Sequence, residues 1–186
     1  MTRPVGSQAR VIWSGDDMTR ALSRIAHEIL ERNHGTEGLL LLGIPTRGVP
    51  LARRLAAVIA EAEGGAEVPT GELDVTMYRD DLRTRPTLAV GRTRIPGGTV
   101  DGRVVVLVDD VLNSGRTIAA AIDALKDLGR PRAVRLAVLI DRGDRELPIR
   151  ADHVGRELSA DAGERVTVRV CELDDVDSVT VEPKEG

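Results

Sequence analysis

Aromatic side chains are almost missing from this chain, which has one tryptophan (Trp13), one tyrosine (Tyr78) and no phenylalanine. The core must therefore be filled by Val, Leu, Ile and Ala, and a protein that stacks many bases on aromatic rings is excluded. Cysteine is equally scarce. Cys171 stands alone, so no internal disulfide can form, and with nothing metal-like around it the residue reads as a small apolar strand position. No amino-terminal apolar segment and no long apolar run occurs, which predicts a cytoplasmic chain that neither spans nor crosses a membrane. An excess of basic residues is lacking too. The formal charge of −4 excludes indiscriminate nucleic-acid binding and leaves room for a local basic face. The remainder, 41% hydrophobic and 30% charged without repeats, fits one globular domain over residues 1–186, long enough for a real core.

The stretch from Val104 to Leu128 organises the rest. Five branched aliphatics, Val104 to Val108, are too few for a helix and predict a strand buried on both faces, as at the centre of a parallel sheet. Asp109 and Asp110 follow, then a tight polar loop with Asn113, Ser114, Gly115 and Thr117, and a helical pattern from Ile118 to Leu128. Strand, polar turn and helix start is a geometry that holds phosphate: the first helical turn has unpaired N–H groups, and glycine lets the backbone approach closely. An acid pair would repel phosphate but can accept hydrogen bonds from sugar hydroxyls. The plainer alternative is two acids that cap a turn.

Upstream, Asp16 or Asp17 is expected to cap a helix running to about Arg32, with Leu22, Ile25, Ala26 and Ile29 on one side. Arg20, Arg24, His27 and Glu31 form the opposite stripe, either a solvated face or a surface that follows RNA phosphates. A buried strand at Gly38–Gly43 leads through Ile44-Pro45-Thr46-Arg47-Gly48 into a helix from Val49 to Glu63. In open α/β sheets such loops share the carboxyl edge with the 109–117 turn. A strand is expected at Leu73–Tyr78. Residues 83–99, with Arg83, Arg85, Arg92 and Arg94, lack any period and read as a lid or binding segment. Val134–Ile140 predicts another buried strand, and Val166–Cys171 an antiparallel edge strand. The acidic stretch Glu172–Asp177 and a short strand near Val179–Val181 close the chain.

The run from Val105 to Thr117 resembles the PRPP-binding signature of type I phosphoribosyltransferases, PRPP being 5-phosphoribosyl 1-diphosphate. Together with RIAHEI (24–29), GIPTRG (43–48), YRDDL (78–82), DALKDLGRPRAV (123–134) and DRGDRELPIRAD (141–152), it resembles the family of pyrimidine-operon attenuation regulators with uracil phosphoribosyltransferase activity. The resemblance implies the type I fold, a mostly parallel central sheet flanked by helices under a small hood of strands and loops. It implies conversion of uracil and PRPP to UMP and pyrophosphate, and UMP-dependent binding of the pyrimidine-operon mRNA leader. Mg²⁺ would accompany PRPP at Asp109 and Asp110, and the assembly would be a homodimer or homotetramer.

Residue by residue, the resemblance assigns Thr46, Arg47 and Gly48 to the pyrophosphate loop, and Arg47 and Arg79 to the leaving group. Asp109 and Asp110 take the ribose hydroxyls, while Val111, Leu112, Asn113, Ser114, Gly115, Arg116 and Thr117 complete the PRPP and UMP site. Arg142 lines the uracil pocket, and Arg20, Arg24, His27, Arg145, Arg150 and Arg156 form the RNA face. The family's usual aromatic is Asn113 here, its His after Asp-Arg-Gly is Asp144, and a basic segment has become Arg156–Asp161 with Glu157 and Asp161. These carboxylates keep two alternatives open: a phosphoribosyltransferase without RNA binding, and a nucleotide sensor without turnover.

Overall fold

Side chains along three strands alternate between two cores up to Leu139. Leu39, Leu41, Val104, Val106, Val108, Ala137 and Leu139 enter one, and Leu40, Leu42, Val105, Leu107, Leu136 and Val138 enter the other. Both faces of the sheet are covered, which is what continuous apolar strands demand. The structure is a computed structural model that describes residues 9–79 and 93–184. In chain order the elements are β1 (Arg10–Ser14), α1 (Gly15–Asn33), β2 (Leu39–Gly43), α2 (Gly48–Ala62), β3 (Thr70–Glu72), β4 (Val104–Leu112), α3 (Arg116–Leu128), β5 (Ala133–Asp141), β6 (His153–Glu157), β7 (Glu164–Arg169), α4 (Cys171–Asp174) and β8 (Ser178–Pro183).

The main sheet has the order β3-β2-β4-β5-β6, with every pairing parallel. Helices α1 and α2 pack on one face and α3 on the other. All strands end at the same edge, so the loops after β2, β4 and β5 converge there. A small antiparallel sheet, β1-β8-β7, forms the hood over the α1–α2 side through Val168 and Val179. The type I phosphoribosyltransferase architecture expected from the sequence is present. Among the described residues, no helix is long and apolar enough to cross a membrane.

Local details differ from the expectations in four places. Ser14, not Asp16 or Asp17, caps α1; its hydroxyl meets the Asp17 N–H while the Asp17 carboxylate accepts the Ser14 N–H at 2.9 Å, a reciprocal capping box. Leu73–Tyr78 is not a strand. Pairing ends where the Leu73 N–H reaches the Gly43 carbonyl, and the Asp74 carboxylate then accepts the Thr76 N–H and hydroxyl at 2.9 and 2.6 Å, curling Thr76–Tyr78 into a 3₁₀ turn. Asp109 and Asp110 lie inside β4, which continues to Leu112 because β5 keeps pairing with it as far as Asp141. Cys171 is an exposed residue opening α4 rather than a strand position. Of the arginine-rich segment, residues 80–92 fall outside the described part, Arg83, Arg85 and Arg92 among them.

Candidate active site

The acid pair is built into the sheet. Asp109 is 8% exposed, and its carboxylate accepts the Asp110 N–H at 2.9 Å; Asp110 is half-buried and accepts the Val111 N–H at 2.8 Å. Burial first, and the Asp110 charge second, push the Asp109 carboxyl well above the usual carboxylate range. The positive charge of Arg79 opposes this. A pair of carboxylates this costly suits a ligand that brings hydroxyl donors or a cation.

The turn after β4 is shaped for an anion. Gly115 precedes α3 at φ +91°, a conformation that L side chains rarely adopt, and no side chain caps the helix. The Arg116 N–H meets the Ser114 hydroxyl at 3.4 Å, while Gly115 at the cap position offers no side chain to the N–H groups behind it. Ser114 holds the loop from behind, its carbonyl accepting the Glu146 and Leu147 N–H groups at 3.0 and 3.1 Å. Arg116 leans outward onto Glu146 at 2.6 Å. Arg79 donates to the Thr117 hydroxyl at 3.3 Å, so one guanidinium spans the acid pair and the anion turn.

The loop after β2 lies alongside. Gly48 opens α2 so close to β4 that a Cβ there would run into the Val108 carbonyl, one residue before Asp109. The Pro45–Thr46 peptide is cis, Thr46 is exposed, and Arg47 lies within electrostatic reach of Asp110. Beyond β5, Arg142 is only 6% exposed and sits with Nε 2.9 Å from Asp144 and a terminal N–H on the Asp161 carbonyl at 3.1 Å. It borders a cavity of about 260 Å³ lined also by Asp141, Gly143, Arg145, Glu157, Leu158 and Ser159. An acid pair, an uncapped helix start, flanking arginines and a base-sized hollow thus share one edge of the sheet.

Residues 14–169 match the phosphoribosyl transferase domain. The chain is 62% identical over 177 residues to the bifunctional protein PyrR of Leifsonia xyli, covering 93% of this chain and 96% of that one. The chain belongs to the PyrR family of phosphoribosyl transferases. Two other PyrR proteins, from Streptomyces coelicolor and Thermus thermophilus, are 58% and 57% identical over 95% and 94% of this chain, and over 91% and 96% of their own. Among solved structures, the hypoxanthine phosphoribosyltransferase of Trypanosoma cruzi superposes with a TM-score of 0.70 at 15% identity, covering 95% of this chain and 97% of that one. The Leishmania tarentolae HGPRT-ase in complex with GMP gives 0.67 at 18% identity, covering 97% and 100%. These two carry the fold only.

Thr46, Arg47, Gly48, Arg79, Asp109 to Thr117 and Arg142 lie around the carboxyl edge of the sheet. The basic residues divide. Arg20 and Arg24 line a hollow of about 360 Å³ with Trp13 and Gly155, and Arg156 lies over the Trp13 ring at 6.0 Å. His27 continues the α1 stripe, its Nδ1 2.7 Å from the Ser23 carbonyl. Arg150 borders a separate hollow with Arg32 and Asp152. Arg145 instead turns inward, to both Asp141 oxygens at 2.7 and 2.6 Å and to the Ile149 and Asn113 carbonyls at 2.8 Å each. Sequence reasoning missed Asp174, which holds Arg47 from 127 residues away. Its only trace was membership of the acidic stretch before the last strand.

Proposed function

We propose that the chain is a bifunctional pyrimidine regulator. It transfers the 5-phosphoribosyl group of PRPP to N1 of uracil, giving UMP and pyrophosphate, and binds the pyrimidine-operon mRNA leader when UMP is held. The observation that carries this reading is the buried acid pair beside the start of α3, whose cap position is Gly115, with Arg79 bonded to Thr117 and within electrostatic reach of Asp109. Relatives named bifunctional protein PyrR at up to 62% identity support the double role.

The transfer needs no protein nucleophile. The bond from the anomeric carbon to the diphosphate oxygen breaks as the bond to uracil N1 forms and the N1 proton is released to solvent, so positive charge develops on the ribose and negative charge on the diphosphate in passing. Asp109 and Asp110 hold the ribose hydroxyls and favour the positive ring, while Arg47 and Arg79 compensate the leaving group. Residues Asn113 to Thr117 anchor the 5-phosphate, and Arg142 with the backbone after it lines the uracil pocket, where the 260 Å³ hollow lies. The two carboxylates are hard oxygen donors at adjacent positions of β4, so they suit Mg²⁺. Asp109 and Asp110 would hold the ion with PRPP, and it would supply charge neutralisation for the diphosphate.

For the RNA, the Arg20, Arg24 and Arg156 face beside Trp13 offers phosphate contacts away from the acid pair. UMP formation from uracil and PRPP tests the first activity. Filter-binding titration of pyrimidine-leader RNA with and without UMP tests the second; binding that ignores both UMP and salt rejects the regulator.

A further inference from the structure

Arg47 already has a partner. Its Nε and a terminal N–H donate to the two Asp174 oxygens at 3.0 and 2.7 Å, a fork-on-carboxylate pair. Asp174 closes α4 in the hood, where its carboxylate also accepts the Val170 N–H at 2.9 Å. The hood turn is docked to α2 by a different residue. Arg54, seven positions and so about two helical turns beyond Arg47, faces the same way. It grips Glu172 at 2.8 and 2.6 Å and Asp177 at 2.9 and 2.8 Å, and its side chain is 20% exposed. The hood turn thus has a tie to α2 that does not involve Arg47 or Asp174.

The pair consumes two of the five N–H groups that a guanidinium carries, and three remain for a second oxyanion. A long arginine that must be ordered at the moment of binding loses side-chain entropy then, whereas one fixed during folding does not. We infer that Asp174 is a positioning residue for Arg47, holding one edge of its guanidinium so that the other edge meets the diphosphate of the sugar substrate. The inference rests on the transferase reading above and adds a hood residue to that site.

Steady-state UMP formation by the full chain compares wild type with Asp174→Asn, Asp174→Glu and Glu172→Gln. An asparagine keeps one acceptor and loses the charge, so the KM for PRPP rises about tenfold, the size of one weakened charge-assisted bond, while the KM for uracil stays put. Asp174→Glu recovers part of the loss. Glu172→Gln loosens the Arg54 clasp and lowers the melting temperature without moving the KM for PRPP. An unchanged or lowered KM for PRPP in Asp174→Asn overturns the inference, as does an equal rise in Glu172→Gln, which would mark a general effect of the hood. If Asp174→Asn does not fold, Asp174→Glu decides alone, since a displaced carboxylate must raise the KM for PRPP. A wild type that makes no UMP but binds PRPP with Mg²⁺ in calorimetry loses the transferase reading only, and the same variants are then compared by Kd. A wild type that does neither loses both.

Discussion

Asp109 shows what a single residue can reveal and what it hides. A carboxyl that burial and a neighbouring acid push well above its usual range is unfavourable for the ligand-free protein, and it becomes useful when positive charge grows beside it. Asp109→Asn keeps the shape and removes the charge. Turnover to UMP should fall by roughly one to three orders of magnitude, as for loss of one preorganised electrostatic contact. Wild-type turnover in that variant would remove Asp109 from the ribose site. The acid pair was legible in the sequence because two acids, small residues and a glycine stand in thirteen consecutive positions, 105 to 117. Asp174 was not, because its partner lies 127 residues away and one acid among several carries no pattern. Arg145 illustrates the opposite limit: expected on the RNA face, it gives no sign in the sequence that its donors go to Asp141 and to backbone carbonyls.

At the scale of elements, the β4–α3 junction carries the anion turn. Gly115 sits at φ +91°, and a Cβ there would meet Ile149 and Leu147 at 3.4 and 3.5 Å, ordinary contact. The cost of Gly115→Ala is therefore conformational, about 1–2 kcal/mol for a left-handed L residue. Urea unfolding should show that loss together with a raised KM for PRPP; stability lost without any change in KM would separate the turn from the phosphate. In the hood, Glu182 on β8 accepts from Arg169 at 2.7 Å, Thr180 at 2.8 Å and Thr167 at 3.2 Å, which pulls its carboxyl from 4.5 down to about 2. The folded form thus binds its proton later than the unfolded form as pH falls. Its stabilisation is complete above pH 4.5 and disappears between there and about pH 2. Glu182→Gln should flatten the melting temperature in that window, and an unchanged acid limb would count against the pairing. Strand and helix cores were legible because β2 and the first five residues of β4, Val104 to Val108, are unbroken apolar runs. The start of α1 and the Leu73–Tyr78 segment were not, since a serine hydroxyl and an aspartate side chain redirect the backbone there against the apolar pattern.

Across the whole molecule the charge is −4, yet Arg20, Arg24 and Arg156 share one face beside Trp13. A negative protein that binds RNA must do so through such a face, and salt then reports how many phosphates it covers. The arginines are not equivalent. Arg24 gives one terminal nitrogen to the Val154 and Gly155 carbonyls at 3.0 and 2.6 Å, tying α1 to β6, and the other to Glu28 at 2.6 Å. Arg20 is 71% exposed and bonds only Asp17 among the contacts described, one turn back on its own helix. Replacing Arg24 therefore perturbs packing and binding together, whereas Arg20→Gln isolates the phosphate contact. For a chain in which Arg20 neutralises one phosphate, the slope of log K against log salt becomes shallower by about 0.7–0.9, with the melting temperature unmoved. Filter titrations of leader RNA at several salt concentrations, with UMP present, measure that slope directly. A slope identical to wild type would place the RNA on another surface, Arg150 and Arg32 being the next arginines to test.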